Sequence, residues 1–381
     1  MRILHTSDWH LGRSFHREDL LSAQADFVDH LLDTVRAERV DVVALAGDVY
    51  DRALPPVDAV QLASDALRRL AAEGVRVVAT SGNHDSAHRL GFAADLIDAA
   101  GIHLRTTADS VGRPVVLEDE HGPVCFYGLP YLEPDAVREP WQLSERSHAA
   151  ALGEAMQRVR KDLADRATRS VVLAHAFVTG GESSESERDI SVGGVSQVSA
   201  DVFDGVDYAA LGHLHGRQVI RDRVRYSGSP LAYSFSEVGH CKGSWLVDLD
   251  GSGQVGAEFV EAPVPRPLAT VRGRLDDLLA DPRHARLEQA WLKVTLTDPV
   301  RPVQAMVRLR SRFPHALVLE FAPDAGGDRD ERSSTARVTG RDHMQIATGF
   351  VTDVRGAPAD EQEATLLREA IDCCRVDEGA A

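Results

Sequence analysis

Apolar residues along the first half of the chain follow two periods. Within residues 17–39, Leu20, Leu21, Phe27, Val28, Leu31, Leu32 and Val35 recur at helical spacing, which predicts an amphipathic helix. RILHT at the start, VDVVALAGD (40–48) and VRVVATSGNHD (75–85) are continuous apolar runs that predict buried strands. Between the last two, PPVDAVQLASDALRRLAAEG predicts a second helix, with proline at its start and Gly74 at its end. Strand and helix alternating in this way imply a parallel α/β layer.

Further on, the pattern predicts a helix over 147–167 and strands in RSVVLAHAFV and VDYAALGHLHG. RVRYSGSP and GSWLVDLDGSGQVGAEFVE then read as short strands joined by tight turns, so this half is expected to be richer in antiparallel sheet. Two packed sheets with helices outside accommodate both halves. APVPRPL (262–268) is a proline-rich boundary. Beyond it, LATVRGR, WLKVTLTD and HALVLEFAP predict strands, with helical stretches near 275–280 and 303–312, giving a small α+β domain. PDAGGDRDERSSTARVTGR reads as a polar linker. ADEQEATLLREAIDCCR reads as a final helix, with Ala364, Leu367, Ala370 and Ile371 near one face. The predicted organisation is therefore 1–265, 266–323 and a linker with helical tail over 324–381.

Composition narrows the class. A chain of 381 residues, 43% hydrophobic and 27% charged, has the make-up of a soluble two-domain protein. No run of 18 apolar residues is present, so no membrane span is expected. The N-terminus enters a strand with no charged leader before it, and the four cysteines at 125, 241, 373 and 374 form no C-x-x-C pair. A cytoplasmic protein without disulfides or structural zinc is the expectation. The net charge of −17 argues against broad nonspecific binding of nucleic acid.

The ends of the predicted strands carry the chemistry. They hold Asp8 and His10; Asp48; Asn83, His84 and Asp85; His175; and His213 and His215. Taken singly, each has an ordinary reading as a helix cap, an Asx turn or an interior histidine. Five apolar runs ending in metal-capable groups are a stronger signal, because ligands of open α/β sheets bind outside the strand carboxyl ends. The pairs 8/10 and 213/215 are expected to project together through strand alternation. The donors are oxygen and nitrogen without sulfur, which suits manganese, or iron, zinc or magnesium. Seven donors exceed the needs of one ion. Two ions about 3.5–4 Å apart would clamp the attacking and leaving oxygens at phosphorus. Asp48, between the other groups in chain order, is the candidate bridge.

The series D-x-H, G-D-x-x-D, G-N-H-D, H and G-H-x-H resembles the calcineurin-like metallophosphoesterases. RILHTSDWHLG, AGDVYD and RYSGSP followed by SFSE resemble, more narrowly, the nuclease subunits of bacterial SbcC–SbcD complexes. The likeness is close over 1–265 and looser beyond, where FVTDVRG and the helix after it are similar to the family's C-terminal end. It implies a four-layer α-β-β-α sandwich with a small α+β capping domain and a helical tail. It also implies two divalent ions, Mn2+ or alternatively Mg2+. Asp8, His10, Asp48 and His215 would hold the first, and Asp48, Asn83, His175 and His213 the second. His84 would face the scissile phosphate with Asp85 orienting it. Asp51 stands where archaeal relatives carry a histidine.

Arg217, Arg225, Ser227 and Ser229 would contact backbone phosphates or merely satisfy sheet-edge positions. The implied activity is double-strand exonuclease and single-strand endonuclease, in DNA end and hairpin processing, repair, recombination and replication. The implied partners are DNA, an SbcC-type ATPase and a second copy of the chain within a heterotetramer, with no membrane. The same motifs also admit a phosphatase or cyclic-nucleotide phosphodiesterase, or a non-catalytic scaffold subunit.

Overall fold

Alternation along the strands decides which layer each side chain joins. In β1 (Arg2–Thr6), Ile3 faces a core between two sheets, whereas Leu4 faces a core under helices. This holds throughout the first of two compact units, Met1–Pro265 and Arg266–Ala381, of the computed structural model, which describes residues 1–191, 197–324, 341–355 and 357–378.

The remaining strands of that unit are the short ladder β2 (Ser14–Phe15) with β3 (Glu18–Asp19), then β4 (Val42–Ala46), β5 (Arg76–Thr80), β6 (Ile102–Arg105), β7 (Val115–Asp119) and β8 (Gly122–Leu129). They continue with β9 (Arg169–His175), β10 (Tyr208–Gly212), β11 (Gln218–Arg221), β12 (Val224–Tyr226), β13 (Gly243–Leu249) and β14 (Val255–Glu261). One sheet runs β14-β13-β1-β4-β5-β6 and the other β11-β12-β10-β9-β8-β7. Ile3, Val42, Ala44 and Val78 meet Phe126, Val171, Leu173 and Tyr208 between them.

The helices Leu21–Ala37 and Val57–Ala72 cover the outer face of the first sheet. His148–Arg166 covers that of the second, its first turn capped by Ser147 Oγ accepting the Ala150 N–H at 3.1 Å. Phe27, Val28, Leu31 and Leu32 are buried on the first helix, each worth roughly 1.5–3 kcal/mol of burial. Packing therefore holds that helix more than intrinsic propensity does. The layers run α-β-β-α, as the resemblance implies.

The later strands are richer in antiparallel pairing, as expected: β13 runs antiparallel to both β1 and β14, and β11 to β12, while β12, β10, β9 and β8 are parallel neighbours. The structure departs from the sequence reading in two places here. The first helix starts at Leu21, because residues 14–19 are taken up by the β2–β3 ladder. Asp8 and His10 do not share a strand face. β1 ends at Thr6, and the two residues lie in the loop after it with left-handed φ of 54° and 45°.

In the second unit, β15 (Leu268–Gly273), β16 (Trp291–Leu296) and β17 (Ala316–Phe321) form a parallel sheet in that order. The helices Leu275–Ala280 and Ala305–Arg312 place Leu275, Leu278, Ala305 and Leu309 on Leu292, Val294 and Leu296 of the central strand. Residues 325–340, most of the expected linker, lie outside the described residues. Two further helices follow, His343–Arg355 and Glu361–Glu378. The first is not apparent in the apolar pattern. Both begin with a capping box: Asp342 Oδ1 accepts the Gln345 N–H at 2.7 Å while Gln345 Oε1 accepts the Asp342 N–H at 3.1 Å. Asp360 and Glu363 repeat the arrangement at 2.8 and 2.9 Å.

Candidate metal centre

Strand order brings the five chemistry-bearing ends together. β1, β4 and β5 are parallel neighbours, so the loops after Thr6, Ala46 and Thr80 leave the same edge. Hydrogen bonds then continue beyond the strands: Asp8 N–H to Gly47 O at 3.0 Å, His10 N–H to Asp48 O at 3.0 Å and Leu11 N–H to Val49 O at 2.9 Å. In the second sheet Gly212 pairs with His175, which sets His213 beside it. The two edges meet closely. A Cβ on Gly212 would lie 1.9 Å from Ala46 O, and one on Gly47, where φ is +88°, would lie 2.4 Å from His175 Nδ1. Glycine at both positions lets the sheets approach.

All seven expected donors converge. His10 Nε2 is 3.0 Å from His215 Nε2. His175 Nε2 is 2.9 Å and His213 Nδ1 3.2 Å from Asn83 Oδ1. Asp48 Oδ2 sits 3.5 Å from both His10 Nε2 and His175 Nε2, between the two groups. Asp8 accepts the His213 N–H at 3.0 Å. Donor atoms of Asp8, His10 and His215 lie within 4.8 Å of one another, as do those of Asp8, Asp48 and His175, and those of His10, Asp48 and His84.

This cluster has the properties of a cation site. Asp8, His10, Asp48, His175, His213 and His215 are all at most 4% exposed. Burial pushes the Asp8 carboxyl up to about 6 and the His213 imidazole down to about 3. Burial acts to raise Asp48 too, but the nearby His175 and His10 hold it below the carboxylate range. Two buried carboxylates and facing imidazole nitrogens are costly unless a positive charge sits among them. Asn83 Nδ2 and His10 Nδ1 are buried without a hydrogen-bond partner among the described residues. Asp8, His10, Asp48 and His213 all take positive φ, at 54°, 45°, 51° and 104°. Backbone strain of this kind, about 1–3 kcal/mol per residue, gathers at functional sites.

The surroundings hold the donors in place. Ser7 Oγ donates to Asp8 Oδ2 at 2.5 Å, and lies 2.8 Å from Ser227 Oγ. Gln24 Nε2 donates to His10 O at 2.8 Å. His175 Nδ1 is tied to Ala46 O at 3.0 Å, leaving Nε2 toward the cluster.

His84 lies at the rim, its ring edge-on to His10 at 4.7 Å and its Nδ1 2.9 Å from Asp51 O. Asp85 does not orient it through a hydrogen bond. Its carboxylate instead accepts the backbone N–H groups of Val49, Tyr50 and Gly82 at 3.1, 2.9 and 2.9 Å, fastening the 47–51 loop to the 82–85 loop.

Of the four residues expected at backbone phosphates or sheet-edge positions, three are buried or point between the sheets. Ser227 and Ser229 are fully buried, Ser229 donating to Leu231 O at 2.7 Å. Arg225 points between the sheets over Trp245 at 5.0 Å, its Nε and Nη1 buried. Alternation in β12 explains this, because Val224 and Tyr226 pack on the opposite, helix-covered face. Arg217 alone is exposed, stacked over Phe259 at 4.4 Å. Ser7, Gln24, Ser186, Glu187, Glu237 and Lys242 support the cluster without having been recognisable from spacing. Of these, Ser7, in RILHTSDWHLG, and Glu237, in SFSE, lie in quoted motifs.

Residues 1–217 match the calcineurin-like phosphoesterase family model. The chain belongs to that family, whose members are metal-dependent hydrolases of phosphoester bonds. Residues 264–354 match a second family, SbcD_C, described as the Type 5 capsule protein repressor C-terminal domain. Among solved structures, the calcineurin-like phosphoesterase YfkN from Bacillus subtilis is 15% identical, covering 68% of this chain and 90% of its own, at a TM-score of 0.37. A dimetal phosphatase from Danio rerio is 15% identical over 69% and 97%, at 0.42. TT1561 of Thermus thermophilus is 12% identical over 68% and 98%, at 0.40. No helix among the described residues is long and apolar enough to cross a membrane.

Proposed function

We propose that this chain is a DNA-cleaving phosphodiesterase of the SbcD type that works in the cytoplasm with an SbcC-type ATPase. The observation that carries the proposal is the succession of two family matches in one chain, the phosphoesterase over 1–217 and SbcD_C over 264–354. A hydrolase of small phosphoesters has no need of the second region.

In this reading Asp8, His10, Asp48 and His215 hold one divalent ion, and Asp48, Asn83, His175 and His213 the other, manganese being the metal in use. Bound there, such ions supply Lewis-acid polarisation of a phosphoryl group and neutralise charge developing at phosphorus. His84 serves the proton. Its Nδ1–H donates to Asp51 O, so in the imidazolium form it is the Nε2–H bond that breaks as the proton passes to the departing sugar oxygen, leaving the neutral Nδ1–H imidazole. Asp85 positions that loop. Exposed Arg217 is the one remaining candidate for a backbone phosphate.

The ATPase partner engages the helices His343–Arg355 and Glu361–Glu378, which expose Phe350, Val354 and Leu366 at 60–66%; apolar anchors on helices suit a groove or coiled coil. Two copies of this chain complete a heterotetramer. With the ATPase supplying DNA-binding surface, the net charge of −17 predicts weak DNA affinity for the chain alone.

The test compares Mn2+-dependent turnover of a linear DNA duplex, a single-stranded DNA, an aryl phosphodiester and a cyclic nucleotide. Cleavage of both DNAs, with the duplex stimulated by ATPase and ATP, is expected. Efficient turnover of the cyclic nucleotide with both DNAs left intact would overturn the proposal.

A further inference from the structure

The segment GESSESERD (181–189) between β9 and the short helix Ala200–Phe203 carries no hydrophobic period and no ligand motif. It nevertheless lies directly against His215. Glu187 Oε1 accepts the His215 backbone N–H at 2.7 Å, while its Oε2 accepts both the N–H and the O–H of Ser184 at 2.7 Å. Ser186 Oγ is 2.6 Å from His215 Nδ1 and 2.5 Å from Glu237 Oε1. Ser186 is 8% and Glu237 1% exposed. Behind them the buried Lys242 donates to Glu237 Oε2, to His215 O at 2.8 Å and to Ser229 Oγ at 3.0 Å.

Proton positions follow from this geometry. An ionised carboxylate only accepts, and Glu237 is ion-paired with Lys242 through Oε2. Two oxygens at 2.5 Å without a hydrogen between them would repel, so the Ser186 hydroxyl hydrogen lies toward Glu237. Ser186 then offers His215 only a lone pair, and His215 must carry its own hydrogen on Nδ1. Its Nε2 is left with a free lone pair, facing His10 Nε2 at 3.0 Å.

We propose that Ser186, backed by Glu237 and Lys242, is a positioning relay that fixes the tautomer of His215 and reserves its Nε2 for a divalent cation held with Asp8 and His10. The proposal rests on reading the cluster as a metal centre. The relay reaches one half of that centre. On the other half His175 is fixed by the Ala46 carbonyl, and no part of the 181–189 segment bonds to it among the described residues. Loss of the relay therefore weakens one ion and spares the other. Hydrogen-bonded partners behind a metal-ligating histidine typically change affinity by about 10–100-fold.

Two measurements on the full chain test this. Calorimetric titration with Mn2+ should resolve two ions in the wild type. Ser186→Ala should weaken one of them about 10–100-fold with the other unchanged, and Ser183→Ala, an exposed change in the same segment, should match the wild type. Long-range 1H–15N spectra of the metal-free protein should show His215 as the Nδ1–H form in the wild type and as a tautomer mixture in Ser186→Ala. The spectra need no metal, so they judge the relay even where the titration contradicts the metal centre. Wild-type affinity for both ions in Ser186→Ala, or an unchanged His215 tautomer, would overturn the relay. Absence of Mn2+ binding by the wild type would overturn the metal-centre reading instead.

Discussion

At the scale of single residues, the roles proposed for Asp48 and His84 can be separated. Asp48 Oδ2 stands 3.5 Å from imidazoles on both sheets, so Asp48→Ala should reduce two bound Mn2+ to at most one weakly held ion, read by elemental analysis after dialysis. Two full equivalents in that variant would contradict the bridging assignment. His84→Gln should keep both metals and lose cleavage by roughly 10²–10⁴-fold, the usual contribution of a general acid or base; a parallel loss of metal would make it a ligand.

A third residue tests the fold away from the centre. Asp119 accepts a forked pair of hydrogen bonds from Arg169 at 2.9 and 2.5 Å, which chiefly hold its carboxyl below the usual range against the opposing effect of burial. A depressed carboxyl adds stability above its unfolded value near pH ~4 that is lost as pH falls through the lower folded value. Asp119→Asn should therefore cost roughly 1–3 kcal/mol at pH 7, and its deficit against the wild type should shrink between pH 4 and pH 3 in denaturant titrations. A constant deficit over that range would show that ionisation of Asp119 contributes nothing.

Among elements, what was legible follows from how each is stabilised. β1, β4, β5, β9 and β10 are buried on both faces, so they appear as continuous apolar runs, and the polar residues directly after them stand out. That is why they could be singled out as candidate donors. The conformation of those residues could not be read. Positive φ at Asp8, His10, Asp48 and His213 is imposed by contacts across sheets that no local pattern records. His343–Arg355 escaped for a related reason: Gly349, Thr348, Val351 and Thr352 are poor helix formers, and the helix is supported by its cap and its neighbour, through the Arg355–Glu363 ion pair at 2.5 Å. Its D-x-x-Q capping box was the available signal. Arg225 lies opposite Val224 and Tyr226, as the alternation V-R-Y already implies. The close approach of β10 to β4 gives an element-scale test. Gly212→Ala would press a methyl on Ala46 O, so it should lower the melting temperature and weaken Mn2+ binding together. Unchanged values for both would mean that the sheet edges are free to separate.

For the whole molecule, the donors all precede residue 216, while the two last helices belong to the second unit. A chain ending near residue 335 should keep the melting transition of the first unit and Mn2+-dependent cleavage of single-stranded DNA. It should lose co-purification with the ATPase and ATP-stimulated duplex degradation. A truncated chain that still binds the ATPase would remove the docking role from these helices. In the proposed centre the two sheets of the first unit close on a pair of ions. Anomalous scattering from crystals grown with Mn2+ addresses this most directly. Two peaks are expected, one among Asp8, His10 and His215 and one among Asn83, His175 and His213, with Asp48 between them; a single peak, or none within reach of these side chains, would rule out a two-ion centre here.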